Sequence, residues 1–299
     1  MKSSVEPPAV ASARVTAIDG LRGLLAVVVL AWHVCAPFGI DLMLVLAKIA
    51  VALFFVLSSY VLTRSWEGRF GEFLARRALR LWPVYALCLA AGYIIAGVPP
   101  VWSEFLWYPM IGPNDQPAID PPAWSLCLEV WAMPFMPLII WSSSNITRGI
   151  ICAAVAMLVG LIVPQIAVLC LFVAGALVSH ISFRNRLLEA AIPQWLGRVS
   201  YSLYLSHALV MKVFVRAFGA WGGVVAIPAA LGIGWLIWWS VERPSIKVSR
   251  RIGRWRSFRC LLSQPNGWTS LRPVLGYLRQ GCAAGEAGHA HMPPEADVN

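Results

Sequence analysis

Eight apolar stretches dominate the chain, and their number and length leave few folds that could hide so much hydrocarbon from water. They run near Ala17 to Phe38, Leu42 to Thr63, Leu81 to Gly97, Ala123 to Trp141, Gly149 to Val163, Ile166 to Ile181, Val199 to Phe218 and Gly222 to Val241. A helix needs about 17 to 25 such residues to cross a bilayer. The fifth and sixth stretches are short and separated only by Pro164 and Gln165. Composition agrees, since 59% of the 299 residues are hydrophobic and only 13% are charged, a balance foreign to soluble domains. The sequence therefore predicts an all-α, polytopic membrane helix bundle of about eight transmembrane helices. The bundle occupies 17–244, between a cytoplasmic N-terminal segment 1–16 and a basic, mostly disordered cytoplasmic tail 245–299.

Basic residues set the orientation, because they accumulate in short cytoplasmic loops. With both termini inside, all of the 24 Lys and Arg except Lys48, Lys212 and Arg216 fall in cytoplasmic segments or at their membrane edge. The outside loop from Val98 to Pro122 carries Glu104, Asp115 and Asp120 instead. The net charge of +10 thus orients the protein, and its basic tail meets anionic lipid; no nucleic-acid partner is expected. The first span is too long, and with Asp19 and Arg22 too charged at its start, for a signal-peptide core. Seven scattered cysteines show no metal-ligand spacing and read as apolar helix fillers. The sequence predicts no metal site. Asn145-Ile146-Thr147 fits a glycosylation sequon but falls on the cytoplasmic side. From Cys260 onward the chain has no hydrophobic period, and His289 and His291 there are not expected to be ligands.

Polar residues inside apolar spans are costly and point to function. Arg22 and His33 are eleven residues apart, about three helical turns, so they share one helix face about 16 Å apart along the axis. Counted from the outer span ends, His33 lies about 7 Å deep, and Lys48 and Glu129 about 9 Å deep. Arg22 lies at the cytoplasmic end of its span, near a loop expected to carry Arg76, Arg77 and Arg80. Each feature also has a structural reading. Lys48 and Glu129 equally make an ion pair, His33 a helix-to-helix hydrogen bond, and the loop arginines plain topology markers.

The ordered motifs sharpen the choice. Asp19-Gly20-Leu21-Arg22-Gly23 through His33, followed by Leu53-Phe54-Phe55-Val56-Leu57-Ser58-Ser59-Tyr60, resembles the opening of the bacterial membrane acyltransferase 3 family. Arg76-Arg77-Ala78-Leu79-Arg80-Leu81-Trp82-Pro83 is similar to its arginine motif, and Trp124-Ser125-Leu126-Cys127-Leu128-Glu129 to its Trp-Ser-Leu-x-x-Glu element. Ser200-Tyr201-Ser202-Leu203-Tyr204-Leu205-Ser206-His207 and Val241-Glu242-Arg243-Pro244 resemble its closing motifs. The chain departs from the family in two ways. Ser59 stands where Gly is frequent, and eight spans replace the usual ten, the shortfall lying between Trp141 and Val199.

The resemblance implies an acyltransferase of the bacterial inner (cytoplasmic) membrane. It would move an acyl group, commonly acetyl, from cytoplasmic acyl-CoA to a hydroxyl of a cell-surface or exported carbohydrate or glycolipid. Arg22, Arg77 and Arg80 would meet the donor phosphates. His33 would act as general base, by direct transfer or through an acyl-His intermediate, with Glu129 orienting the imidazole. Trp124 and Lys48 would line the acceptor path, and Tyr201, Tyr204 and His207 the middle of the donor channel; helix packing is an equal reading for the last three. Two alternatives stand beside this one. The first is a transporter or flippase of a glycolipid or small anion, although no inverted repeat is apparent. The second is a haem carrier with His33 and His207 as axial ligands, disfavoured by depths that differ by about 9 Å.

Overall fold

In the computed structural model, which describes residues 16–106 and 119–251, every expected apolar stretch is helical. Helix α1 (Thr16–Cys35) ends in a 3-10 turn and a reversal at Gly39, whose φ of 69° suits glycine. Helix α2 (Asp41–Arg64) returns, and α3 (Phe70–Ala96) stops at Gly97, again with φ 69°. The fourth stretch is broken into α4 (Ala123–Ala132) and α5 (Met136–Ser143). Pro134 and Pro137 each remove a backbone donor, so the chain tightens into a 3-10 turn at Met133–Phe135. Then come α6 (Ile146–Gly160), α7 (Val168–Val178), α8 (Ala191–Phe218) and α9 (Gly222–Ile237). A π turn at Trp238–Glu242 follows, and helix continues through the expected boundary at Pro244 to 251.

Five helical stretches are long and apolar enough to cross a membrane: Thr16–Phe38, Asp41–Arg64, Phe70–Ala96, Ala123–Ser143 and Ala191–Arg251. The last contains α8 and α9, which pack on each other beyond Gly219. Ile146–Gly160 and Pro164–Val178 are shorter apolar helices. At about 1.5 Å per residue, 15 residues reach about 22 Å, less than the roughly 30 Å of hydrocarbon in a bilayer. Large apolar side chains such as Leu42, Ile94, Leu158 and Trp221 face outward, a surface suited to lipid rather than water.

Two helices begin well before the apolar stretches that announce them. Helix α3 starts at Phe70, so Arg76, Arg77 and Arg80 lie on a helix and not in a loop. Arg76 pairs with Glu72 one turn back and with Glu67, and Phe73 and Leu81 are buried on the same helix. Helix α8 starts at Ala191, eight residues ahead of Val199. Its early part crosses α1 at near backbone contact: a β-carbon on Gly23 would overlap the backbone of Leu196 and Gly197, and one on Gly197 would overlap the Asp19 carbonyl. Small residues let helices approach this closely in membranes.

Smaller features find structural roles. Asn145, from the sequon, caps α6 by accepting from the Arg148 backbone N–H. Ser59 is fully buried against Gly175 of α7 and donates to the Phe172 carbonyl, so its hydroxymethyl group is matched by a glycine across the interface. Lys212 Nζ donates to the Ile119 carbonyl at 2.9 Å. The five described cysteines are free. Asp115, the segment before Thr16 and the tail beyond 251, with His289 and His291, lie outside the described residues.

Candidate active site

The polar residues of four helices converge on one interior cavity of about 50 Å³, large enough for a few waters or a short acyl group. Arg22 comes from α1, Ser58 from α2, Ser125 and Glu129 from α4, and Tyr201 and Tyr204 from α8. Phe54 and Phe55 supply an apolar wall. Several hydroxyls that line it are committed to the protein. Tyr201 donates to the Leu81 carbonyl at 2.7 Å, and Tyr204 and Ser125 share a hydrogen bond of 2.7 Å.

Charge gathers at the Arg22 end. Arg80 lies within Coulombic reach of Arg22, Glu242, Glu129 and Asp19, and Arg77 within reach of Arg80, Glu129 and Arg22. Three guanidinium groups thus lie near three carboxylates, whose opposite charge offsets part of their mutual repulsion in a low-dielectric interior. Ser58 donates to Glu129. Glu242 is buried and accepts from Ser202 Oγ at 2.6 Å. The π turn that carries Glu242 shifts the register of α9 at that point; such turns recur at functional sites. Arg76 stands apart, spent on Glu67 and Glu72.

One turn beyond Tyr204 on α8 is His207, and the structure joins it to His33. The rings meet edge to face with centroids 4.6 Å apart, and His207 Nε2 lies 3.2 Å from His33 Nδ1. This corrects the depth count, which separated the two by about 9 Å. The count took the ends of both spans as level. Helices α1 and α8 in fact run parallel, Gly23 against Gly197 and His33 against His207, ten residues further along each helix. The same contact works against the haem alternative in the described geometry, since each imidazole nitrogen at the contact faces the other ring and leaves no room for iron between them.

The other expected site residues divide. Arg22, Glu129, Tyr201 and Tyr204 share the cavity, and Arg77 and Arg80 join its charge cluster. Lys48 does not: it is exposed on α2, and Glu129 meets Ser58 in its place. The expected equal depth fails, because Ser58 lies ten residues, about 15 Å, along α2 from Lys48, and Glu129 stands at the level of Ser58. The side chain that meets His33 is likewise His207 and not Glu129. Trp124 is half-buried against the main hydrophobic core. Ser58, Ser125, Ser202 and Glu242 were not singled out from the sequence, although each stands inside one of the recognised motifs.

Near the start of α4, Asp120 is fully buried, and neither side-chain oxygen has a hydrogen-bond partner among the described residues. Burial pushes its carboxyl up to about 8, with Lys212 pulling the other way. Among the described residues no three His, Cys, Asp or Glu side chains are grouped to hold a metal ion.

Comparison with known families gives the frame for this arrangement. Residues 15–166 match the model of the acyltransferase 3 family, described as an acyltransferase domain. That range is just over half of the chain and holds α1 to α6, with the motifs that carry Arg22, His33, Ser58, Arg77, Arg80 and Glu129. No curated protein and no solved structure matched the chain. With apolar membrane-length helices, a polar interior and this match, the chain belongs to the acyltransferase 3 family and is a membrane acyltransferase.

Proposed function

We propose that the protein transfers an acyl group, commonly acetyl, from cytoplasmic acyl-CoA to a hydroxyl of a cell-surface or exported carbohydrate or glycolipid. The observation that carries this reading is the division of labour along α1: Arg22 lines the charged end of the cavity, and His33 stands about 16 Å along the same face. A donor with anionic phosphates and a long flexible arm suits that spacing. Arg22, Arg77 and Arg80 hold the phosphates. In this reading the protein lies in the bacterial cytoplasmic membrane as eight spans, with both termini inside, and Trp124 lines the acceptor path.

The chemistry is a balanced acyl transfer with His33 as general base. Its bare imidazole nitrogen takes the proton of the acceptor hydroxyl while the oxygen bonds to the thioester carbonyl carbon. The carbon–sulfur bond then breaks, and the thiolate leaves with the proton from the imidazolium. The products are an ester and free CoA-SH, and no metal enters the step. Imidazole suits both proton transfers because it titrates near neutrality.

The test is mass spectrometry of surface glycans, and of labelled acyl-CoA supplied to inside-out vesicles, with wild type and His33→Ala. Acylation should fall at least about 10²-fold in the variant at equal membrane protein level. Full acylation by His33→Ala sinks the assignment of the base. Movement of a glycolipid across proteoliposomes without acyl-CoA would point to the transporter alternative. Arg22→Ala and Arg80→Ala should raise the donor KM rather than abolish turnover.

A further inference from the structure

His33 and His207 are each held by a carbonyl one turn back, and these bonds together decide where the ring protons sit. His207 is buried, with Nδ1 3.1 Å from the Leu203 carbonyl oxygen. A carbonyl only accepts, so Nδ1 carries the hydrogen and the neutral ring keeps a bare lone pair on Nε2. That lone pair faces His33 Nδ1 at 3.2 Å, and His33 Nδ1 lies 3.0 Å from the Val29 carbonyl oxygen. Both neighbours of His33 Nδ1 are then acceptors. The set closes only with a hydrogen on His33 Nδ1, shared between Val29 and His207, which leaves His33 Nε2 bare. The opposite assignment would set the lone pair of His207 Nδ1 against that of the Leu203 carbonyl. His33 is half-buried, and its Nε2 makes no hydrogen bond among the described residues.

We infer that His207 is a positioning residue: it accepts the Nδ1 hydrogen of His33, fixes the tautomer whose Nε2 receives the acceptor proton, and holds the imidazolium once it forms. The inference rests on the proposed role of His33 as base. His207 neither gains nor loses a proton in the cycle; the proton passes from the hydroxyl to His33 Nε2 and on to the leaving thiolate. It occupies the place a carboxylate holds in a hydrolase triad. A neutral imidazole does so without adding a second charge at a depth where charge is costly. The rigid crossing of α1 and α8 supplies the register, since Gly23 and Gly197 lock the two helices ten residues before the histidines.

The experiment has a spectroscopic and a kinetic arm. Solid-state ¹⁵N NMR of full-length, histidine-labelled protein in lipid separates protonated from bare ring nitrogens, with the His33 signals assigned by their loss in His33→Gln. Nδ1–H on both rings is expected, and His33 found as Nε2–H overturns the inference without any variant of His207. In turnover assays, His207→Phe should lower kcat by about 10²-fold with the acyl-CoA KM unchanged. His207→Gln brings an amide oxygen to the Nε2 position and should recover at least about tenfold of that loss. Full turnover by His207→Phe beside a dead His33→Ala overturns the inference. So do Phe and Gln variants that are equally slow at equal membrane level. If His33→Ala itself keeps turnover, it is the base that has been misassigned.

Discussion

The α1–α8 and α6–α7 contacts are built with the same device and serve different ends. Both bring helices together at glycines: Gly23 and Gly197 in the first, Gly149 in the second. The first pair then encloses polar residues, from Arg22 to the two histidines, and α8 is buried at Ser200, Ser202, Ser206 and His207. The second brings none of the expected site residues together. Helix α6 buries only Gly149 and Ala156 and turns Ile150, Val155 and Leu158 outward. Close approach by itself is therefore a packing solution. It becomes a site where it fixes the register of groups that must exchange protons.

The sharpest way to break this contrast is at the glycines. A β-carbon on Gly197 meets backbone, the Asp19 carbonyl, whereas one on Gly149 meets the end of the Leu177 side chain. Backbone has nowhere to go, while a leucine can change rotamer. Gly197→Leu should leave little folded protein in the membrane, and Gly197→Ala should lose most turnover by separating His33 from His207. Gly149→Ala should retain both protein level and turnover. Immunoblots of membrane fractions beside glycan acylation check the set. Equal effects at the two glycines would remove the distinction between the two contacts.

A second test addresses charge. The functional side keeps its carboxylates partnered, half-buried Glu129 by Ser58 and buried Glu242 by Ser202. Asp120 is buried without such a partner among the described residues, and its carboxyl is pushed up to about 8. Between about pH 4, where the unfolded carboxyl ionises, and pH 8, the folded state holds a proton that the unfolded state has released. Stability therefore falls as pH rises through that window and levels off above it. Thermal unfolding in detergent should show a lower Tm at pH 9 than at pH 5, by a few degrees. Asp120→Asn should remove most of the difference. A variant with the wild-type slope would assign the pH dependence to other groups.

The residues that carry chemistry were legible where they lay within an apolar run, and for a physical reason. An Arg or His inside hydrocarbon is costly enough to stand out in one sequence, as Arg22, His33 and Glu129 did. Helix type and most boundaries followed from hydropathy, but α3 and α8 begin early because their first turns are amphipathic, and an apolar count ends where polar residues begin. Neither depth across different spans nor azimuth was readable, because both depend on how packing offsets and turns one helix against the next. Lys48 faces outward, and Glu129 meets α2 at Ser58, ten residues and about 15 Å further along. His207 was placed too far from His33 because α8 overhangs α1 at its outer end, an offset set by the Gly23 and Gly197 crossing that only packing reveals. Serine partners such as Ser58 and Ser202 are invisible to a reading that looks for charge.

The smallest expected effect lies on the outer face of α6. Ile150 and Leu158 are 60% and 64% exposed, so truncating them to alanine removes contact with lipid tails rather than with protein. Tails flow into the space, no cavity forms, and stability should change by less than about 0.5 kcal/mol, as for ordinary surface substitutions. Glycan acylation should be unchanged. Arginine at either position should cost more, on the order of 2 to 3 kcal/mol if the helix is centred in the bilayer, and less near its edge. Comparing Ile150→Arg with Leu158→Arg, two turns apart, therefore measures how deep this short helix sits. If the alanine variants lose acylation at unchanged protein level, α6 packs against a protein surface in the membrane, and the contrast with α1 and α8 is one of partner rather than of function.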